Sequence, residues 1–450
     1  VTIHRHNVND LENIAEFLIE DLGPAATLLS QFDSNLADAL KHKFSGFLKH
    51  VGEGLITGGV HTPNHRWVVS AALARLYSLY DDERYLKRMD EWLAEGVYLD
   101  DDGQFPERSR NYAVVEGRSL MIIGHLLNRP ELFEPVKKNL ISTFYFMEEN
   151  GELITLDSRR QDQNYVISVS RYYLLYRYFA IYFQDELFAA IVKKIEANPH
   201  LKRGILSTSL IDFLYVPVLF EDVPENTSLP TNYTKEFLLT NLVRIKRNNK
   251  TATIFGGNDR PIQIASGRST NPSFFTFRKG KAILEYVRLS TSFFRTGYFR
   301  SQGISKNGSA YTLHETKEAY YYQPLSVEDR NPEGDYQLSQ SPDGRFWSKM
   351  DFESRKKSNI QVLETNVTIY ERNGGFEMEI DVSGPKQVEV VLELCFRKGG
   401  KLDHVVSSRS DEDYFLQEGF GTYQVENDTI RFGPGKADHT QIRRIDGELY

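Results

Sequence analysis

The hydrophobic period of this chain changes once, near residue 225, and that change decides what the chain can fold into. Before it, apolar residues recur three and four apart. Leu11, Ile14, Phe17 and Leu18 do so, and then Leu36, Leu40, Phe44 and Leu48, which is the spacing of one helical face. After it come NLVRIKRNN, TATIFGG, KAILEYVRLS, NVTIYERNGG, FEMEIDVSG and QVEVVLELCFRKGG. These segments alternate or are β-branched, with Gly, Asn or Pro turns between them, as antiparallel strands do. The stretch EDVPENTSLPTN (221–232), rich in turn formers, separates the two regimes. The expected fold class is α+β multidomain, with helices over 1–225 and an antiparallel β-sheet or β-sandwich over 226–450. A chain of 450 residues is also too long for one ordinary core.

The helical part repeats. One unit opens NHRWVVSAALARLYSLY and closes DDDGQFPERS; the next opens NYAVVEGRSLMIIGHLL and closes EENGELITLDS; a third opens NYVISVSRYYLLYRYFA. The opening asparagines, Asn64, Asn111 and Asn164, are 47 and 53 residues apart, a range used by helical-hairpin repeats. Such hairpins stack as an open solenoid or close into a ring, the incomplete α/α toroid. Inner helices rich in Tyr, Arg and Asn favour the ring, because they suit a polar funnel. In a ring, corresponding helix N-termini share one rim and expose unpaired N–H groups. That rim attracts anions, and the carboxylate of a uronic acid fits there.

Composition removes several classes. The single cysteine, Cys395, excludes an internal disulfide framework and a cysteine-based zinc site. A net charge of -8 argues against a general nucleic-acid binder. No apolar run in the sequence spans a bilayer. Val1 is not an initiator methionine, and no charged-then-apolar leader follows it; either a signal peptide has been removed or the sequence simply starts here, and the expectation is a secreted or periplasmic protein, with a cytoplasmic one as the alternative.

The stretch HTPNHRW (61–67) places Asn64, His65 and Arg66 at a helix mouth. As packing, Asn64 is an N-cap and His65 a surface residue, a strong alternative because Asn caps well. As chemistry, the amide and the imidazole together bond a carboxylate. His61 and His65 are four apart, but Pro63 intervenes and no HExxH or third ligand accompanies them, so a metal is the minor option. Tyr112 opens the next unit and is either packing or a proton-transfer group. Arg66, Arg108 and Arg110 are the nearby cations that would stabilise a phenolate. With His61, they are also the expected substrate contacts. Tyr165 in the third unit is read as a sugar-stacking residue. The loop carboxylates Asp101, Asp102, Glu107, Asp157 and Asp162 offer a rival: two of them across a funnel would suit glycoside hydrolysis, although Asp102-Gly103 is also an ordinary turn. In the β part, FFRTGYFRSQG and YTLHETKEAYYYQPL carry Arg295, Tyr298, Arg300, His314 and Tyr321. These are either cross-strand pairs on an edge strand or a face that meets substrate. Asn-x-Ser/Thr triplets at Asn226 and Asn366 are common by chance.

A toroid followed by an antiparallel β-sandwich, with Asn-His at a helix start and a Tyr one repeat later, resembles the polysaccharide lyases of the heparinase II/III-like and alginate-lyase type. The architectural likeness covers most of the chain, and the motif likeness covers 61–67 and 103–118. It implies a lyase that cleaves an acidic polysaccharide or oligosaccharide without a cofactor. It also implies Asn64 and His65 as neutralisers of the uronate carboxylate and Tyr112 as acid/base. The family's β-domain histidine would be His314, the only histidine between His200 and His404. The family's His-rich loop and zinc ligands have no counterpart here. The alternatives are a hydrolase on the same ring and a non-catalytic glycan-binding protein.

Overall fold

The structure is a computed structural model that describes residues 8–60, 62–225, 228–257, 271–294, 296–340, 349–407 and 412–436. His61, Arg295, Asn226 and the side chain of Asn164 lie outside the described residues. The chain divides into two compact units, Val1–Tyr233 and Thr234–Tyr450. The first is helical and the second is made of antiparallel sheets, which is the α+β class its two periods indicate.

The helices of the first unit are α1 (Val8–Leu29), α2 (Asn35–Thr57), α3 (Pro63–Tyr80), α4 (Glu83–Leu93), α5 (Arg110–Leu126), α6 (Phe133–Phe146), α7 (Tyr173–Phe183), α8 (Glu186–Ala197), α9 (Pro199–Thr208) and α10 (Leu210–Tyr215). Successive pairs from α1–α2 to α7–α8 pack as hairpins. The first helices of the hairpins also pack on one another, α1 on α3, α3 on α5 and α5 on α7. The row returns on itself, because α10 packs on α1 and the turn Pro217–Phe220 packs on both α7 and α10. The arrangement is therefore an incomplete ring rather than an open solenoid. From Trp67 to Leu76, α3 is buried without a break, as a helix enclosed on every side must be. Ser34, Asp82, Ser109, Asp185 and Asn198 each accept a backbone N–H of the helix they precede, so these starts are fixed by side-chain caps.

Two details of the repeat differ from the sequence reading. Asn64 is not a cap: Thr62 holds that place, with Pro63 first in the helix, where its missing N–H costs nothing. The third unit's helix begins at Tyr173 rather than Asn164. The residues before it form a turn at Gln161–Asn164, the strand β2 (Ile167–Ser168) paired to β1 (Glu152–Leu153), and a second turn at Val169–Tyr172. The β-branched run in VISV favours that strand over an early helix.

The second unit holds β3 (Asn232–Phe237, reaching across the boundary), β4 (Leu242–Arg247), β5 (Lys250–Phe255), β6 (Phe275–Lys279), β7 (Ala282–Thr291), β8 (Ile304–Asn307) and β9 (Ala310–Tyr322). After the short pair β10 (Ser339–Gln340) and β11 (Lys349–Met350) come β12 (Lys357–Arg372), β13 (Gly375–Ser383) and β14 (Val390–Phe396). Beyond them lie β15 (Lys401–Asp403), the pair β16 (Val406–Ser407) and β17 (Tyr414–Phe415), then β18 (Glu418–Val425) and β19 (Asp428–Lys436). A six-stranded sheet (β14-β7-β6-β5-β4-β3) and a four-stranded sheet (β13-β12-β9-β8) share one core. Ile254, Val287 and Leu289 of the former meet Leu313, Val367 and Ile369 of the latter, as in a sandwich. The YTLHETKEAYYY segment lies in β9, which pairs with β12 over most of its length and with β8 only from Ala310 to Leu313. FFRTGYFRSQG is irregular, with one bridge from Tyr298 to Ser290. Among the described residues no helix is long and apolar enough to cross a membrane.

Candidate active site

The start of α5 is built by the loop before it. Asp100 Oδ1 accepts the Gln104 N–H at 2.8 Å, closing the Asp-Asp-Gly turn. Gly103 has φ +80°, and a Cβ there would lie 2.9 Å from the Lys138 carbonyl oxygen, so both backbone and space require glycine. Arg108 takes the left-handed region (φ +50°), at a cost of about 1–3 kcal/mol, and reverses the chain between Glu107 and the cap Ser109. Ser109 Oγ accepts the Tyr112 N–H at 3.1 Å. Arg110 then ties this loop to the next one. It is buried, and its Nη2 meets both oxygens of the buried Asp157 at 2.8 Å. Its Nη1 donates to Gln104 Oε1 and to the Arg108 carbonyl, both at 2.9 Å. One nitrogen bridges both carboxylate oxygens while the other holds the loop, a spread of donors that a planar guanidinium provides.

Around that scaffold the rim residues converge on Glu107. Asn64, only 1% exposed, donates its amide to Glu107 Oε2 at 3.0 Å, and its Oδ1 accepts from Thr62 Oγ1 at 3.3 Å. The other oxygen, Glu107 Oε1, accepts from Arg160 Nη1 at 2.5 Å. Arg160 carries its guanidinium over the Tyr112 ring, 4.6 Å from the centroid, and its Nε donates to Gln161 Oε1 at 3.3 Å. The Tyr112 hydroxyl donates to the same Gln161 oxygen at 3.5 Å. Burial raises the Glu107 carboxyl above the usual range, with Arg160, Asn64 and His65 pulling it back and Asp162 adding to the rise. His65 thus lies near enough to act electrostatically on the same carboxylate, while its ring edge meets Phe17 at 5.6 Å. Two segments, 64–65 and 107–112, are thus joined by a third, 158–162. Asn64 and Tyr112 contact one Glu107–Arg160 pair, and His65 lies near it.

The other expected contacts are placed differently. Arg66 pairs with Glu95 at 2.6 Å, donates to the Gly96 carbonyl and stacks on Trp67. Arg110 is the buried tie described above; it positions the loop and is assigned no contact with a ligand. Arg108 is half-buried. Tyr165 is 67% exposed on the loop that carries Asp162. Of the carboxylates weighed for hydrolysis, Asp157 is paired with Arg110, and Asp162 accepts from Ser158 Oγ and the Asn111 N–H.

Arg160 and Glu116 escaped the sequence reading. Arg160 lies in SRRQDQN, a polar loop with no helical or strand period to mark it. Glu116 follows Tyr112 by one turn on the same face of α5 and is 1% exposed. Neither of its oxygens has a hydrogen-bond partner. Burial, reinforced by Glu107, pushes it well above the usual carboxylate range, and Arg66 opposes the rise. An acid inside the apolar run AVVEGRSLMII was the available signal.

The second unit's expected residues form their own group. His314 lies on the outward face of β9, since Leu313 beside it points into the core. Its Nδ1 is 3.0 Å from Asn366 Oδ1, and its Nε2 is 3.0 Å from Thr316 Oγ1. Arg300 is buried near Glu315, and Lys317 donates to the carbonyls of Gly297 and Tyr298. Tyr321 is exposed, between Tyr320 and Tyr322, whose rings meet edge to face at 5.3 Å. No protein-family model matches the chain, and no curated protein matches it.

Proposed function

We propose that the chain is a polysaccharide lyase that cleaves a uronic-acid-containing glycan by β-elimination. The observation that carries this reading is the gathering of Asn64, His65, Tyr112 and Arg160 about Glu107 at one end of a helical ring. In β-elimination a base removes the C5 proton, the C4–O bond breaks, a C4=C5 double bond forms and the leaving oxygen is protonated. Negative charge grows on the uronate carboxylate as the C5 proton leaves. His65 and Arg160 are the donors that meet this charge, which they stabilise more in the transition state than in the ground state. Asn64, being buried, acts by holding Glu107, and Glu107 holds Arg160 over the Tyr112 ring. The Tyr112 hydroxyl moves the proton, as base toward C5 or as acid toward the leaving oxygen. Tyr165 supplies a face for sugar stacking. His314, Tyr298, Arg300 and Tyr321 remain proposed glycan contacts of the second unit. The step needs no cofactor. A protein acting on such polymers is placed outside the cytoplasm, secreted or periplasmic.

The test is ultraviolet absorbance, because the product double bond is conjugated to the carboxylate. Tyr112→Phe is expected to lose roughly 10²–10⁴-fold in turnover while still binding the polymer. Reducing ends formed without absorbance would instead indicate a hydrolase, and binding without either signal a glycan-binding protein.

A further inference from the structure

We infer that Asp162 is a positioning residue: acting through Ser158, it fixes the loop that carries Arg160 on the N-terminus of α5, and so sets Arg160 against Glu107 and Tyr112. Arg160 joins the rim residues, yet it lies in an irregular loop, and a long side chain loses much rotamer freedom when it is held in one place. Its backbone is held by a chain of hydrogen bonds that begins on α5. The Asn111 N–H, in the first turn of that helix, donates to Asp162 Oδ2 at 3.2 Å. Asp162 Oδ1 accepts from Ser158 Oγ. The same Ser158 oxygen accepts the Arg160 N–H at 3.2 Å. Both links are buried, Ser158 at 1% exposure and Asp162 at 5%.

The chemistry of each link suits its place. An ionised carboxylate accepts at both oxygens, so Asp162 serves the helix with one and the serine with the other. Its negative charge also lies at the positive end of α5. An asparagine has one acceptor oxygen and no charge, and would serve only one of the two. The Ser158 hydroxyl has a single proton, which goes to Asp162, and this turns a lone pair to the Arg160 N–H. Neighbouring bonds hold the rest of the loop. The Arg159 N–H donates to the Glu107 carbonyl at 3.1 Å, and Gln163 Nε2 donates to the Ser158 carbonyl at 2.9 Å. These bring the loop beside Glu107, while the Ser158 bond fixes the backbone of Arg160 itself.

The Glu107 carboxyl reads where Arg160 stands. Arg160, Asn64 and His65 pull its proton affinity down, and Asp162 pushes it up; Glu116 is the other acid near it. Magnetic resonance of the full chain with carboxyl-labelled glutamate, assigned through Glu107→Gln, follows its titration. Ser158→Ala keeps the Asp162 charge and cuts the link. It is expected to move the Glu107 midpoint up by about 1 pH unit, the low end of what losing an adjacent cation does, and to move it no further when Arg160→Gln is already present. A midpoint unchanged by Ser158→Ala would make Asp162 a plain cap of α5 and overturn the inference. If Ser158→Ala does not fold, Asp162→Asn takes its place. Combined with Arg160→Gln it removes only a like charge, so the midpoint falls; alone it also releases Arg160, so the midpoint falls less or rises. An equal fall in both backgrounds would overturn the inference too. The consequence for turnover rests on the lyase reading: Ser158→Ala is expected to lose about 10²-fold in kcat, as a misplaced group does, with KM little changed. Failure of every uronate polymer to give absorbance with the parent chain would sink the lyase reading and leave the titration to decide this one.

Discussion

At the scale of single residues, burial sets which groups can act. Glu116 has no partner for either oxygen and its carboxyl is raised by burial. A raised carboxyl contributes stability that is present below the ordinary Glu range and is lost as pH rises through the folded value. Thermal stability of the parent chain should therefore fall on the alkaline side of that range. Glu116→Gln should remove this fall, so that the variant's advantage in Tm grows with pH; parallel Tm–pH curves would refute the assignment. The residues themselves were unevenly legible in the sequence. Asn64, His65 and Tyr112 could be picked out because helix starts have capping and dipole signals. Arg160 could not, because its role comes from where a loop returns, and no local pattern encodes that. Arg66 and Arg110 looked equivalent to it in sequence, but their acidic partners, Glu95 and Asp157, lie 29 and 47 residues away.

At the scale of elements, the loops before α5 and α7 are held together by the Arg110–Asp157 ion pair and by the Tyr172 hydroxyl, which donates to the Arg110 carbonyl at 2.6 Å. Removing one member of a buried pair strands the other's charge. Arg110→Met should lower unfolding free energy by about 3–5 kcal/mol, measured by urea denaturation. Arg110→Met combined with Asp157→Leu should recover much of that loss, whereas additive losses would show that the two do not act as a pair. Helix hairpins could be read because their apolar spacing survives tertiary packing. The start of α7 could not be read from the Asn repeat, because pairing of Ile167–Ser168 with Glu152–Leu153 overrides it. His314 ladders with Asn366 of β12, a segment far along the chain that its own stretch does not announce, while the β8 ladder stops at Leu313.

At the scale of the molecule, the single change of period separates two kinds of core. The helical unit packs its first helices into a ring, and the other unit packs two sheets face to face. Residues after α10 remain attached to the helical unit: Arg177 donates to the carbonyls of Leu219 and Glu221, and Lys193 to that of Glu225. A fragment of residues 1–233 is therefore expected to fold alone, with a helical far-ultraviolet spectrum and one cooperative transition. A fragment without a transition would show that the first unit depends on the second. The central claim concerns chemistry at the rim, and the most direct measurement is absorbance during incubation with a panel of uronate polysaccharides. The account predicts a steady rise with at least one polymer and its near-disappearance in Tyr112→Phe. No rise with any polymer, or an undiminished rise in that variant, would contradict it.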